Sequence, residues 1–457
     1  MKRKIYNKLL EWKSISNGKS AVMIDGARRV GKSWIAEEFA KNEYEAYLIL
    51  DFSKVTAKIR RFFNEYMEDL DVFFMHLFSV YRVDLPRRKS VIIFDEVQRF
   101  PRAREAIKWL VADGRYDYIE TGSLISINKN VRDIVIPSEE HHLEMFPMDF
   151  EAFLWANGRE SVMPVLERHF DMMKPLGEDL HESIMDLFRQ YIVVGGMPQI
   201  VGTFVETHDL NAVDMGKRDI LSLYRSDIHK FAGQLRHKVL SVFNHIPAEL
   251  SKHEKKFVLA DLKKNAKMRE YDSTFEWLKS AMTVNLCSAA CEPTVGLEMK
   301  TDPAALKCYL GDTGLLISMA FDPVVLNAEN IHERILHDRI SLDKGMLMEN
   351  VVAQLIRASG HGLYYYSNSD RNVSANRMEI DFLLCKPTLT RMHNIIPVEV
   401  KSNREYETVS LGKFKVKFAD QLQVPVVLHV KDVKFENGIF YLPVYMTQLL
   451  TNRSLRR

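Results

Sequence analysis

Short apolar runs alternate with helix-like stretches between residues 20 and 125. The runs are rich in residues that favour β-strands, and they cover residues 21–25, 46–51, 91–95 and 116–121. Strands that alternate with helices predict a parallel sheet covered by helices. Several runs end in a carboxylate or a hydroxyl. Polar groups therefore lie at the carboxyl ends of the predicted strands, where open α/β sheets bind ligands.

The pattern changes along the rest of the chain. Residues 139–190 are acidic and have a mostly helical period, whereas the part after about residue 345 is patterned as a helix followed by strands. The strand-like runs of this last part cover residues 363–366, 379–384, 395–401 and 424–430. No internal repeat or low-complexity linker interrupts the sequence. We therefore expect an α/β protein of several domains.

Composition and charge narrow the class of protein. The chain has 457 residues, 46% of them hydrophobic, and a formal net charge of +2. These values exclude intrinsic disorder as the main state. No apolar run approaches the ~18 residues of a membrane span, and the basic start is not followed by an apolar stretch, so we expect a cytoplasmic protein without a membrane partner. The cysteines suit neither a disulfide scaffold nor a zinc site and are expected to be buried thiols: Cys287, Cys291, Cys308 and Cys385.

A candidate phosphate-binding loop follows the first apolar run. It fits the pattern GxxxxGK[ST] and consists of Gly26, Ala27, Arg28, Arg29, Val30, Gly31, Lys32 and Ser33. The loop lies after a predicted strand and before a helical run, which is the context that the motif requires. Its amides would hold the phosphates of ATP or ADP, Lys32 would reach the β and γ oxygens, and the Ser33 hydroxyl would bind Mg²⁺. The alternative is a glycine turn with a solvent-facing lysine.

Run 91–95 ends next to a second carboxylate and resembles a Walker B strand. We expect Asp95 to complete the Mg²⁺ shell and Glu96 to polarise the attacking water as general base. Thr121, at the end of the following run, is the candidate sensor of the γ-phosphate, and Ser123 is the reserve candidate. An ordinary turn is the alternative at this position. The expected catalytic residues are thus Lys32, Glu96 and Thr121.

Fast hydrolysis by enzymes with a phosphate-binding loop often needs an arginine from a neighbouring molecule. Such an arginine increases the rate of hydrolysis by a factor of ~10³ to 10⁵. The sequence does not choose among the candidates, and a solvated surface arginine is the alternative for each. A homo-oligomer would follow if one of them acts in trans. The candidates are Arg99, Arg102, Arg104 and Arg132.

The stretch 229–280 is basic, with eleven Lys/Arg against six acids. Its apolar periodicity predicts helices at 237–251, 258–266 and 269–284, and turn signals over 285–307 favour a β-wing. This order is typical of a winged helix. Lysines around the second helix would contact phosphates of DNA or RNA, and a solvated or protein-binding surface is the alternative. Four residues would meet base edges: Arg269, Asp272, Ser273 and Lys279.

The C-terminal part contains a candidate nuclease site. Strand period 2 puts Glu399 and Lys401 on one face, and Asp381 can join them from a neighbouring strand. Glu349 lies at the margin of the apolar arc of helix 345–359, where a carboxylate is costly unless it is paired or bound to metal. A helix Glu, then Asp, then ExK is the spacing of PD-(D/E)XK nucleases. The three carboxylates would bind Mg²⁺ or Mn²⁺, and Lys401 would stabilise the phosphate charge. An exposed, paired strand face is the alternative.

These motifs together resemble a known family, the prokaryotic AAA-like ATPases with a C-terminal domain long catalogued as of unknown function. The resemblance covers nearly the whole chain. It implies an ATPase module, a winged-helix-like middle and a PD-(D/E)XK-like end. The matching segments are RRVGKS at 28–33, FDEVQ at 94–98, TGS at 121–123, MFPMDF at 145–150, VGGMP at 194–198, LGDTGL at 310–315 and PVEVK at 397–401.

The combined interpretation is a Mg²⁺-dependent ATPase coupled to a C-terminal module that contacts nucleic acid and carries a nuclease-like site. The alternative is a slow ATPase switch that acts through protein partners and never cuts nucleic acid. The expected domains are a P-loop ATPase domain at 1–150, a helical lid or linker at 151–235, a winged-helix-like domain at 236–330 and a PD-(D/E)XK-like α/β domain at 331–457.

Overall fold

The computed structural model describes residues 1–122, 138–252, 254–321, 344–369, 373, 376–386 and 394–453. The chain divides into two compact units. The N-terminal unit comprises Met1–Phe146 with Ser280–Met282, and the C-terminal unit comprises Pro147–Lys279 with Thr283–Arg457. None of the described helices is long and apolar enough to cross a membrane.

The N-terminal unit is built on a five-stranded sheet in which every neighbouring pair is parallel, as predicted. The strand order is β2-β3-β4-β1-β5. The strands are β1 (Ala21–Gly26), β2 (Ala46–Asp51), β3 (Ser90–Asp95), β4 (Asp117–Gly122) and β5 (Glu140–Met145). The helices are α1 (Ile5–Ser16), α2 (Lys32–Glu43), α3 (Ala57–Glu65), α4 (Leu70–Tyr81) and α5 (Pro101–Asp113).

Helices cover both faces of this sheet. Val22 and Ile24 of β1 pack with Ile35 and Phe39 of α2. Alternate residues of the same strands contribute to a second core with α3, α4 and α5. Because both faces are buried, the central strands read as continuous apolar runs, which is why their bounds were predictable. Strand β5 was missed: it is an edge strand, only Leu143 and Met145 are buried in it, and its polar positions hide the pattern.

The C-terminal unit begins with helices that are mostly amphipathic. They are α6 (Phe150–Ala156), α7 (Val162–Met172), α8 (Glu178–Val194), α9 (Pro198–Thr207), α10 (Leu210–Phe231) and α11 (Arg236–Leu250). The helical period expected for residues 139–190 is therefore present from Phe150 onwards, whereas Glu140–Met145 form strand β5.

The motifs VGGMP and LGDTGL meet inside this unit. Asp312 is 1% exposed; its Oδ2 accepts the Gly196 N–H at 2.6 Å, and its Oδ1 accepts the Leu315 N–H at 3.0 Å. The second bond caps helix α13 (Thr313–Ala320). A Cβ at Gly314 would lie 2.5 Å from the Val194 carbonyl oxygen, so only glycine permits this approach. The two motifs therefore pack directly against each other.

The segment predicted to form a winged helix contains only some of the expected elements. Helix α11 and a shorter third helix, α12 (Asp272–Ser280), are present, and β6 (Val284–Ala290) pairs with β7 (Thr301–Leu310) as an antiparallel hairpin. The helix predicted over 258–266 is wrong, because the chain makes only a 3₁₀ turn at Leu259–Asp261 and Asn265 then adopts a positive φ of 63°.

The hairpin is continuous with the C-terminal strands. β6 pairs in parallel with β8 (Tyr364–Asn368), which pairs with β9 (Met378–Ile380). The sheet therefore extends across the boundary expected at 330/331. A second sheet has the order β10-β11-β12-β14-β13. Its strands are β10 (Phe382–Cys385), β11 (Ile395–Val400), β12 (Val426–His429), β13 (Lys434–Glu436) and β14 (Ile439–Pro443).

Three more helices complete the C-terminal unit. They are α14 (Lys344–Ala358), α15 (Val409–Lys417) and α16 (Thr447–Asn452). The strand predicted over 379–384 is split between β9 and β10 at Asp381. All four cysteines are free thiols, but only Cys287 and Cys308 are buried. Cys291 is exposed and Cys385 is partly exposed, which corrects the expectation for both.

Candidate functional site

The phosphate loop lies between β1 and α2, as its motif predicts. Gly26 ends β1, and a Cβ there would lie 2.6 Å from the Met145 carbonyl oxygen. Arg29 and Gly31 have φ of 69° and 98°, which turn the chain back into the helix. Helix α2 starts without a side-chain cap, so its first amides remain available to an anion at its positive end.

Lys32 is folded onto this loop. It is 8% exposed, and its Nζ donates to the carbonyl oxygens of Gly26 at 2.9 Å and Ala27 at 3.0 Å. Burial lowers the pKa of Lys32 to about 8, although Glu96, Asp25 and Asp95 oppose this effect. An anion entering the loop would favour the charged form. The ammonium is therefore poised for a phosphate.

Asp95 gathers two hydroxyl groups at the carboxyl edge of the sheet. The Ser33 hydroxyl donates to its Oδ1 at 2.6 Å, and the buried Thr121 hydroxyl donates to the same atom. Thr121 Oγ1 in turn accepts the Glu96 N–H at 3.3 Å. Hydroxyl and carboxylate oxygens are the ligands that Mg²⁺ prefers, so Ser33 and Asp95 fit this ion. Asp95 comes from β3, Thr121 from β4 and Ser33 from α2.

Glu96 follows Asp95 with a positive φ of 56°. Its Oε2 accepts from Gln98 Nε2 at 2.9 Å and lies 3.6 Å from Arg99 Nε. The side chain is 39% exposed, so water can reach the carboxylate. Gln98 belongs to the matched FDEVQ segment but was given no role from sequence; here it orients the candidate base.

The candidate arginines differ in their surroundings. Arg99 is beside Glu96, and Arg102 pairs with Glu105 at 2.7 Å. Arg104 is only 3% exposed and makes two bonds to Glu140, so it is neither a finger nor a surface arginine. Arg132 and Ser123 lie outside the described residues.

Arg3 was not predicted as a site residue. Its guanidinium donates to the carbonyl oxygens of Val30 at 2.9 Å and Phe146 at 2.6 Å. It thereby ties the phosphate loop to the chain after β5. The sequence offered only a basic start, MKRK, as a signal.

A chain of charged groups lies behind the loop, with buried carboxylates on either side of the partly exposed His142. Asp25 is 2% exposed and pairs with His142 Nδ1 at 2.6 Å, and His142 Nε2 lies 3.3 Å from Glu140. Hydrogen bonds to Asp25 and then Glu140 raise the pKa of His142 to about 9. Burial and the neighbouring Glu140 raise the pKa of Glu120 well above its usual value. The cluster thereby stabilises the strands that carry the loop.

The C-terminal unit brings together two of the predicted carboxylates, Glu349 and Asp381, around a lysine that was not predicted. Lys307 of β7 is 1% exposed, and its Nζ lies 2.7 Å from Glu379 Oε1, 3.7 Å from Asp381 Oδ1 and 3.8 Å from Glu349 Oε2. Burial lowers the pKa of Lys307, but these carboxylates more than offset it and leave the pKa above its usual value. The signal in the sequence was a lysine within the apolar run AALKCYL at 304–310.

Glu349 has further partners. Lys255 Nζ lies 2.6 Å from its Oε1, and the Tyr309 hydroxyl donates to its Oε2 at 3.0 Å. Burial opposes ionisation, but Lys307 and Lys255 hold the pKa of Glu349 below its usual value. The pairing that a buried carboxylate requires is thus supplied by lysines.

Asp381 lies at the break between β9 and β10, Glu399 lies on β11, and Lys401 directly follows β11. β10 and β11 are antiparallel with Phe382 opposite Val398, and Asp381 Oδ2 accepts the Val400 N–H at 2.8 Å. Burial and then Glu349 raise the pKa of Asp381 to about 7. Glu399 Oε2 lies 3.3 Å from Lys401 Nζ, and within the described chain this buried atom has no hydrogen-bond partner.

The predicted metal triad does not fit a divalent ion in this arrangement. Glu349 and Asp381 share a buried ammonium, and a metal ion among the same oxygens would meet that positive charge. The described residues that do bring three ligand atoms within 4.8 Å of one another are His245, Glu249 and Asp261. There too a lysine is present, since Lys252 Nζ lies 2.5 Å from Glu249 Oε1 and also pairs with Asp261.

Comparison with known proteins covers the chain in three segments. A family profile described as an AAA domain matches residues 18–154. Two profiles described as domains of unknown function, DUF8612 and DUF4143, match residues 185–327 and 344–446. No curated protein matches the chain. A similar solved structure is the Walker-type ATPase PABY2304 of Pyrococcus abyssi, which is 13% identical, with 70% of this chain and 96% of that chain covered at a TM-score of 0.41.

The phosphate loop, the parallel sheet and the AAA profile agree on the N-terminal part. The chain therefore has an AAA-like P-loop ATPase domain, followed towards its C-terminus by a DUF4143 domain.

Proposed function

We propose that this protein is a Mg²⁺-dependent ATPase whose nucleotide state controls a C-terminal module that contacts nucleic acid. The observation that carries the ATPase proposal is the convergence of Lys32, Ser33, Asp95 and Thr121 at the carboxyl edge of one parallel sheet. Such an edge is where open α/β sheets bind their ligands.

Each group has a distinct task in hydrolysis. The loop amides and Lys32 bind the phosphates, and Ser33 and Asp95 would hold Mg²⁺, which neutralises phosphate charge when bound. Glu96 takes a proton from the attacking water, and Gln98 keeps its carboxylate in place. Thr121 links Asp95 to the Glu96 amide, so the two carboxylates are positioned together.

Calorimetry with ATP and a phosphate-release assay test the ATPase proposal on wild type, Lys32→Ala and Glu96→Gln. We expect the wild type to bind and hydrolyse ATP. Lys32→Ala should lose binding, because the ammonium that meets the phosphates is gone. Glu96→Gln should keep binding but lose about 10² to 10⁴ in hydrolysis rate. Folded wild type that takes up no ATP at millimolar concentration would falsify the proposal.

The basic stretch supports contact with nucleic acid. Of its eleven Lys/Arg, three are used internally: Lys255 pairs with Glu349, Lys252 with Glu249, and Lys238 donates to the Glu270 carbonyl oxygen. The exposed remainder is Lys230, Arg236, Lys256, Lys263, Lys264, Lys267, Arg269 and Lys279. Phosphates of DNA or RNA are the ligands that such a surface attracts.

We also propose a PD-(D/E)XK-like fold for the C-terminal part. Helix α14, strands β8, β9–β10 and β11, helix α15 and strand β12 follow one another in this order, with β11 parallel to β12. Asp381 comes at the break between β9 and β10, and Glu399 and Lys401 lie at the end of β11, which supports the assignment.

Control of the module by nucleotide is tested by fluorescence anisotropy with labelled DNA and RNA. We expect the dissociation constant to change several-fold when a nonhydrolysable ATP analogue with Mg²⁺ is added to the wild type. Lys32→Ala is the control and should show no change. An identical constant with and without the analogue in the wild type would remove the coupling.

A switch that acts through a protein partner is the second candidate. The observation that favours it is the buried Lys307 among the nuclease-like carboxylates, because a module that does not cut can serve purely as a binding surface. Absence of DNA and RNA binding at low salt, with ATP hydrolysis intact, would favour this candidate.

A further inference from the structure

We propose that Lys307 is a built-in cation of the cluster formed by Glu349, Glu379 and Asp381, and that it takes the place which a divalent metal ion would need there. The C-terminal unit then binds nucleic acid without metal-dependent cleavage. The statements about nucleic acid and about cleavage rest on the proposed function and on the proposed PD-(D/E)XK-like fold. The statement about metal binding stands on the cluster alone.

The position of the ammonium carries the argument. Its Nζ lies 2.7 to 3.8 Å from one oxygen of each of the three carboxylates, which come from α14, from β9 and from the break between β9 and β10. A divalent ion would need carboxylate oxygens at roughly 2.0 to 2.6 Å. It would therefore compete with Lys307 for the same oxygens and be repelled by its charge.

Lys307 is fixed in this position by its strand. It pairs opposite Cys287 in the β6–β7 hairpin, and its side chain is 1% exposed. Its Nζ also lies 5.0 Å from the centre of the Tyr365 ring, on which a cation is favoured. The ammonium is therefore held among the carboxylates and away from solvent.

The charges point the same way. With every group in its charged form, the carboxylates of Glu349, Glu379, Asp381 and Glu399 and the ammonium groups of Lys255, Lys307 and Lys401 sum to a formal charge of −1. Removing the Lys307 ammonium would change this to −2, the charge that one divalent ion neutralises. Loss of one lysine should therefore convert a lysine-filled cluster into a metal site.

Calorimetric titration with Mn²⁺, without nucleotide, tests the proposal. Wild type and Asp381→Asn should give the same titration, because Asp381 holds no metal. Lys307→Met should take up one additional Mn²⁺ per chain, and Lys307→Met combined with Asp381→Asn should lose it. Lys279→Met, which removes an exposed lysine paired with Glu276, is the matched control and should match the wild type.

Two results would overturn the proposal. One is a Mn²⁺ ion bound by the wild type and lost in Asp381→Asn, a comparison that does not depend on the folding of any Lys307 variant. The other is cleavage of linear or circular DNA or RNA by the wild type with Mg²⁺ or Mn²⁺ that Asp381→Asn abolishes. Neither result affects ATP uptake, which the Lys32→Ala comparison measures separately.

Discussion

At the scale of single residues, Asp25 shows how a buried carboxylate at the base of the phosphate loop is paired. It directly precedes Gly26 and is 2% exposed, yet its neighbour His142 carries a proton for it. Arg104 forms an ion pair with Glu140, which is the second partner of His142. These pairs spare the sheet an uncompensated buried charge, which would be costly.

The charge on His142 makes stability depend on pH. His142 keeps its proton in the folded chain up to a pKa of about 9, whereas an unfolded histidine loses it near 6.5. The folded state binds more protons between these values, so its stabilisation is complete below about pH 6.5 and is lost as pH rises through 9. We expect the thermal unfolding midpoint of the N-terminal unit to fall over this interval in wild type but not in His142→Gln. His141→Gln, on the same edge strand and exposed, should retain the wild-type trend.

The role of Thr121 as candidate sensor can be tested by removing its hydroxyl group alone. Thr121→Val keeps the shape of the side chain but removes the hydroxyl that donates to Asp95 and accepts from the Glu96 amide. A hydrogen bond to a charged group contributes about 1.5 to 3 kcal/mol. We expect the rate of ATP hydrolysis at saturating ATP to fall about tenfold or more. Thr121→Ser keeps the hydroxyl and should stay near wild type; equal rates in all three proteins would exclude the role.

At the scale of elements, sequence patterns succeed where a segment's own residues determine its structure. The central strands of the N-terminal sheet and helix α14 are apolar enough to be predicted. The segment 258–266 makes only a 3₁₀ turn at Leu259–Asp261, although its apolar spacing suggested a helix, and Asn265 has a positive φ that a helix does not permit. Weak local propensity yields to packing in such short segments.

The two candidate sites also differ in how far the local sequence determines them. The phosphate loop is contiguous in sequence, so its residues and neighbours could be predicted together. The carboxylate cluster depends on Lys307 and Lys255, which are 42 and 94 residues before Glu349 and reach it only through the hairpin and the turn region. No local pattern encodes such a pairing; a lysine inside an apolar strand shows only that some acidic partner must exist.

The contact between VGGMP and MFPMDF gives a prediction about packing. A methyl group at Gly196 would overlap the Met148 carbonyl oxygen, which is backbone and cannot move aside easily. We expect Gly196→Ala to lower the free energy of unfolding of the C-terminal unit by about 3 kcal/mol. Gly412→Ala is the matched control, because a Cβ there meets nothing within 4 Å and the residue lies inside helix α15. It should raise stability by about 0.5 to 1 kcal/mol in urea unfolding; equal loss in both variants would contradict the steric argument.

At the scale of the whole molecule, charge is distributed unevenly. The chain carries a formal net charge of only +2, but residues 229–280 hold eleven Lys/Arg against six acids. Part of this excess is used to neutralise buried carboxylates, and the rest is exposed. Net charge alone would therefore underestimate the attraction of this protein for polyanions.

The exposed lysines and arginines of residues 229–280 lead to a prediction of how nucleic-acid binding depends on salt. Replacing Lys263, Lys264, Lys267 and Arg269 with glutamine removes four charges from one exposed segment. If these side chains neutralise phosphates of duplex DNA, the slope of log K against log salt should become shallower by about 3 to 4, because each contact releases about 0.9 of a counterion. Binding should weaken similarly for unrelated DNA sequences, since phosphate contacts carry no base information.

A charge-matched variant separates this local effect from a general change in charge. Lys8, Lys58, Arg87 and Lys108 are exposed residues of the N-terminal unit, and their replacement with glutamine changes the net charge by the same amount. Counterion release depends on the groups that touch phosphate, so this control should keep the wild-type slope. Anisotropy titrations between 50 and 200 mM salt would measure both slopes, because four such contacts change the affinity about 10²-fold over this interval. Equal slopes for the two quadruple variants would show that the basic segment is not the nucleic-acid surface, and would favour the switch that acts through a protein partner.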